Sequence, residues 1–124
     1  MISGRIAELE KEAAAWDAQF QKFTEANPDK AALLSKMLHR ETPANLLEEL
    51  VAAAPKDKPV ATRASSGTIL QKAAALVPAL YGGAADLAPS TKTDLKGAEW
   101  FSPEHREGRN FHFGVRELGM GFFA

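Results

Sequence analysis

Gly82-Gly83-Ala84-Ala85-Asp86-Leu87-Ala88-Pro89-Ser90 and Gly108-Arg109-Asn110-Phe111-His112-Phe113-Gly114-Val115-Arg116-Glu117 are the stretches that decide how this chain is read. Each follows or contains a short apolar run, then places a carboxylate where a strand would hand over to a loop or helix. Open α/β sheets bind ligands in that crevice, outside the carboxyl ends of their strands. Leu80-Tyr81 running into Gly82-Gly83 predicts a short buried strand ending in a turn. Phe111-His112-Phe113 predicts a second strand, and Val115 onward a helix. Between them, residues 88–109 carry Pro89, Gly97, Pro103 and Gly108 and predict a long loop. A loop of that length in a compact domain is functional or disordered.

Working outward, Ile6, Leu9, Ala13, Trp16, Phe20 and Phe23 recur at steps of three and four, the apolar face of an amphipathic helix. The stripe is too short for a coiled-coil seam and reads as a face that packs onto a larger body. Asn27-Pro28 ends it and supplies an N-cap and a first-turn proline for a second helix through Leu33, Leu34, Met37 and Leu38. Thr42-Pro43 repeats that start signal before a third helix through Leu46, Leu47, Leu50 and Val51. Pro55-Lys56-Asp57-Lys58-Pro59 then reads as an exposed linker. Beyond it, Ser65 or Ser66 is placed to cap a helix running to Val77, closed by Pro78. The fold class expected is α/β: a helical N-terminal segment over residues 1–57, then an incomplete open parallel sheet domain over 58–124. Two strands rarely make a stable sheet alone. The helix begun near Val115 is only starting when Phe122-Phe123-Ala124 is reached, which predicts a piece of a larger protein.

Composition sets outer bounds. A net charge of -1 over 124 residues gives no general attraction to nucleic acid or to an anionic membrane, and neither partner is expected. No apolar run approaches the ~20 residues needed to cross a bilayer, and the charged N-terminus lacks a signal-peptide core. A cytoplasmic location is expected. Zero cysteines exclude disulfides, thiolate metal sites and cysteine nucleophiles. The three histidines, at 39, 105 and 112, form no metal-binding pattern.

Taken singly, the chemistry-bearing residues have plain structural explanations. Gly82-Gly83 suits a tight turn, Asp86 a loop cap, and Glu117 the first turn of a helix, where the dipole favours a carboxylate by roughly 0.3–1 kcal/mol. Arg63, Arg109 and Arg116 would each pass as surface charges. His112, between two phenylalanines, reads as structural.

In combination they say more. Thr62-Arg63-Ala64-Ser65-Ser66-Gly67, then Gly82 to Ser90, then His112-Phe113-Gly114-Val115-Arg116-Glu117 with Met120-Gly121, closely resemble transketolase. The likeness covers the start of that family's pyrimidine-binding domain over about residues 58–124. Residues 1–57 resemble the helical tail of the preceding diphosphate-binding domain. The resemblance implies a thiamine-diphosphate-binding α/β fold and transfer of a two-carbon ketol unit between sugar phosphates, a transferase step of the pentose phosphate pathway. It implies thiamine diphosphate with Mg2+ or Ca2+, the remainder of the subunit, and a homodimer partner. By the same resemblance Glu117 hydrogen-bonds the pyrimidine nitrogen of the cofactor and exchanges a proton with it, a role that a buried carboxyl suits. Asp86 and Leu87 line the cofactor pocket, while Arg63 and Ser90 contact the sugar phosphate, as a guanidinium fork and a hydroxyl can. Gly82 and Gly83 let the loop turn beneath the cofactor. Two positions depart from the family pattern: Leu118, where histidine is commoner, and Ala84, where serine is commoner. The family's Gly-Asp-Gly…Asn block for metal and diphosphate is absent from the 124 residues, so the metal ligands are expected elsewhere and the chain alone is expected to be inactive. Two other readings stay open: a related thiamine enzyme such as 1-deoxyxylulose-phosphate synthase, and a non-catalytic interaction module.

Overall fold

The computed structural model describes residues 2–123 and divides into two compact units, Met1–Glu41 and Thr42–Ala124. The first unit is two helices, α1 (Ile2–Ala26) and α2 (Pro28–Leu38), packed against each other. The apolar stripe of α1 forms as the spacing predicts: Trp16 stacks on Phe20 at 5.0 Å and Phe20 on Phe23 at 6.2 Å. Pro28 ends α1 because its ring disfavours helical angles in the residue before it, and Asn27 sits at φ -137°, ψ 64°. The Asn27 side chain does not cap α2 as expected; its Nδ2 donates back to the Phe23 carbonyl at 3.1 Å. Among described residues 4–41 none is buried, and Trp16 stays 60% exposed.

The second unit opens with α3 (Leu46–Ala53) and α4 (Thr62–Leu76). Both start where the capping signals do not. Thr42-Pro43 lies outside α3, in a turn closed by the Leu46 N–H on the Pro43 carbonyl at 3.0 Å. α4 begins at Thr62, so Ser65 and Ser66 are inside it, not at its cap. Its end agrees with the reading: Val77, before Pro78, leaves the helix at φ -122°. α3 packs on α4, and Glu49 reaches Lys72 at 2.7 Å. The packing unit therefore reaches back past the proline-rich linker at 55–59.

Two strands pair in parallel, β1 (Gly82–Ala84) and β2 (Asn110–His112), with Gly82 opposite Asn110, Gly83 opposite Phe111 and Ala84 opposite His112. β1 lies just after Leu80-Tyr81, the pair expected to form it. Gly82-Gly83 is strand, not turn. Glycine is needed at 83 for close approach, since a Cβ there would collide with the Phe111 carbonyl. The chain turns instead at Asp86, a non-glycine residue at φ 67°.

The expected long loop is partly built. Ala88–Thr91 is a short helix, α5, ended by Lys92 at φ 62°. Segment 94–98 is held by two side-chain amides. Asn110, 2% exposed, accepts from the Leu95 N–H at 2.8 Å and donates to the Leu95 and Ala98 carbonyls, both at 2.9 Å. Gln71 of α4 donates to the Asp94 carbonyl and accepts from the Lys96 N–H, both at 2.8 Å. The core is correspondingly small: Ala74, Ala85, Ala88 and Leu95 are its buried apolar side chains among the described residues. The chain ends in α6 (Glu117–Phe123), whose Phe123 packs on Phe111 at 5.0 Å and Phe113 at 5.4 Å.

Candidate functional site

Parallel pairing decides where the candidate residues lie. Ala84 and His112 are matched at the carboxyl ends of their strands, so the segments carrying Asp86 and Glu117 leave the sheet at the same edge. Asp86 follows β1 by two residues, and Glu117 is the first residue of α6. Asp86 tolerates its left-handed backbone because a short polar side chain is among the few that do. Such conformations persist where surrounding structure enforces them. Here the next residues are fixed by α5: the Ser90 and Thr91 N–H groups both donate to the Leu87 carbonyl, at 3.0 and 2.9 Å.

Asp86, Leu87 and Glu117 are all exposed. The expectation of a buried carboxyl at Glu117 is not met within this chain. α6 is anchored through Phe123 at its far end, and its first turn is open. Their sequence neighbours include exposed apolar side chains: Leu87 is 59%, Val115 75% and Leu118 77% exposed. Among the described residues no group of three or more His, Asp or Glu converges as a cation site, and no helix is long and apolar enough to cross a membrane.

Arg63 and Ser90 come from two helices. Arg63 is in the first turn of α4, Ser90 is in α5, and both side chains are exposed. α4 comes against the residue that follows α5 at Gly67, where an added Cβ would come within 2.9 Å of the Lys92 Cβ. A cavity of about 610 Å³ opens between them, lined by Ala64, Gly67, Thr68, Gln71, Lys92 and Lys96 among others. The structure thus links Asp86, Leu87 and Ser90 through local backbone and sends the segments carrying Asp86 and Glu117 off the same edge of the sheet, while Arg63 and Ser90 sit on separate helices with no bond between them.

Sequence reading missed three residues that hold this frame. Arg109 is no surface charge: its Nη1 donates to the carbonyls of Ala74 at 3.1 Å, Pro78 at 3.3 Å and Leu80 at 3.5 Å, tying the end of α4 to the entry of β1. A cation at a helix C-terminus also suits the dipole. Asn110 and Gln71 carried no local signal, because their partners lie 12–15 and 23–25 residues away. His112 is exposed and stacks on Trp100 with ring centroids 3.4 Å apart, in keeping with a structural role.

These features define a class: an α/β domain with parallel strands and two carboxylates at the carboxyl edge. Comparison with known proteins narrows it. Residues 58–124 match the family described as transketolase, pyrimidine binding domain. The chain belongs to the transketolase family. It is 41% identical over 111 residues to a transketolase of Geobacillus stearothermophilus, covering 90% of this chain and 16% of that protein. It is 42% identical over 112 residues to that of Bacillus subtilis, covering 90% and 17%. A crystal structure of Pichia stipitis transketolase in complex with sedoheptulose-7-phosphate superposes with a TM-score of 0.77 at 35% identity, over 93% of this chain and 18% of that one. The chain therefore spans less than a fifth of the relatives it matches, and the α/β reading of the fold holds.

Proposed function

We propose that this chain forms the pyrimidine-facing wall of a thiamine-diphosphate-dependent ketol-transfer site acting on sugar phosphates. The observation that carries the reading is the parallel register, which turns Asp86 and Glu117 out at one sheet edge beside exposed Leu87. Thiamine diphosphate, when bound, supplies the electron sink that two-carbon transfer requires. Glu117 holds and returns a proton at its carboxyl oxygen opposite the pyrimidine nitrogen, and a helix start is a stable place for the charged form. Asp86 and Leu87 line the same pocket. Arg63 and Ser90 take the phosphate of the sugar, the guanidinium as a planar fork and the hydroxyl as a single donor. The Pichia relatives solved with sedoheptulose-7-phosphate and fructose-6-phosphate support a phosphorylated ketose as the ligand.

On this reading residues 1–57 continue a diphosphate-binding domain and 58–124 begin the pyrimidine-binding domain. Mg2+ or Ca2+ and the diphosphate are held by the rest of the subunit, a second subunit covers the apolar surface around Glu117, and the assembly is cytoplasmic. The test is Glu117→Gln in a full-length transketolase carrying this segment. The amide keeps the shape and a hydrogen bond but cannot exchange the proton. Ketol transfer and exchange of the cofactor's thiazolium proton are expected to fall at least ~10²–10⁴-fold, with a much smaller loss of cofactor affinity. Proton exchange near the original rate would reduce Glu117 to a helix-start carboxylate and overturn the reading.

A further inference from the structure

We propose that Gln71 and Gly67 are positioning residues that set the spacing between Arg63 and Ser90, and so the selectivity for a phosphorylated sugar. The inference rests on the reading of Arg63 and Ser90 as phosphate donors. Neither of those side chains is braced by burial; both are exposed. Their separation is set by how α4 lies on α5 and the segment that follows it.

That contact is made at two points. Gly67, one turn beyond Arg63, lets the backbone of α4 approach Lys92, the residue that ends α5. A Cβ at 67 would meet the Lys92 Cβ at 2.9 Å and its carbonyl oxygen at 3.1 Å. One turn further on, the Gln71 amide bridges the Asp94 carbonyl and the Lys96 N–H, both at 2.8 Å. A primary amide satisfies both groups at once, as a paired donor and acceptor. On its other side the segment is fixed by buried Asn110, so the Gln71 clamp closes against a rigid partner. α5 has only four residues and its remaining bonds are local, such as Thr91 Oγ1 to the Leu87 carbonyl at 2.9 Å. Besides the burial of Ala88, Ser90 therefore takes its position from Lys92 and segment 94–96, and these are seated against α4. A displacement of about 1 Å in such a frame can cost two orders of magnitude where geometry governs the step.

The test uses full-length transketolase carrying this segment and compares one ketose with and without its phosphate. Gln71→Met removes both bonds at similar volume, Gln71→Glu keeps the acceptor for the Lys96 N–H, and Gly67→Ala wedges the helices apart. Arg63→Ala is the reference. Arg63→Ala is expected to raise KM for the phosphorylated ketose roughly 10-fold or more, with little change for the unphosphorylated one. Gln71→Met and Gly67→Ala are expected to raise the same KM about 3–10-fold at nearly constant kcat, with Gln71→Glu between wild type and Gln71→Met. If Arg63→Ala is selective but both Gln71→Met and Gly67→Ala leave the two ketoses unchanged, or affect them equally, the positioning role is wrong while the phosphate reading stands. If Arg63→Ala shows no selectivity, the phosphate reading itself fails.

Discussion

The two flanks of the candidate site are built in opposite ways. On the Arg63–Ser90 flank, α4 and β2 are tied to the irregular segment after α5 by side-chain amides whose bonds all run between 2.8 and 2.9 Å. On the Asp86–Glu117 flank, the chain presents carboxylates among apolar side chains that nothing in the second unit covers; Phe122 is 84% exposed and Leu118 77%. The contrast teaches that one flank is braced by hydrogen bonds within this chain, whereas the other leaves its carboxylates and neighbouring apolar side chains exposed. Positions on the first should answer to substitution through stability or spacing, and positions on the second through whatever is laid against them.

The largest stability effect is expected at Asn110. Asn110→Ala strands the Leu95 N–H and the Leu95 and Ala98 carbonyls in a buried setting, at a cost of about 1–3 kcal/mol for a group left unsatisfied. Urea denaturation of the 124-residue chain would show a lower midpoint with little change in slope; an unchanged midpoint would mean the segment is not braced as described. On the opposite flank, Leu118→Ser should stay within about 0.5 kcal/mol of wild type in the same measurement, since the side chain has no buried contacts to lose. A large loss there would break the comparison. The smallest effect is local. Glu107 lies opposite His105, Oε1 to Nδ1 at 3.2 Å, and its carboxyl sits below the usual carboxylate range, held there first by a backbone N–H and then by the His105 ring. A lowered folded-state value means that its contribution is present above the unfolded value and is lost as pH falls through the folded one. NMR titration should place its midpoint below that of a free glutamate, and His105→Ala should move it only part of the way back, because the backbone donor remains.

Much of the architecture was legible from local pattern. Pro28 and Pro78 end helices because their rings constrain the preceding residue, and Asn27 and Val77 show the expected departure from helical angles. Helix starts were less legible. Thr42, Ser65 and Ser66 have capping chemistry, yet α3 and α4 begin at Leu46 and Thr62, and neither start carries a side-chain cap bond. Glycine misled for a related reason. Gly82 and Gly83 can turn but here serve strand approach, and the turn falls to Asp86.

By itself the sequence determined the helix ends, the α/β class and the two carboxylate-bearing stretches, because these rest on side-chain periodicity and on proline, which act within a few residues. Only the tertiary structure decided that β1 and β2 run parallel with Ala84 opposite His112, that Arg109 and Asn110 turn inward, and that Gln71 and Gly67 seat α4 on the segment after Ser90. Those choices depend on which distant backbone groups need partners once the chain is compact, and a buried donor or acceptor is satisfied by whatever side chain the fold brings to it.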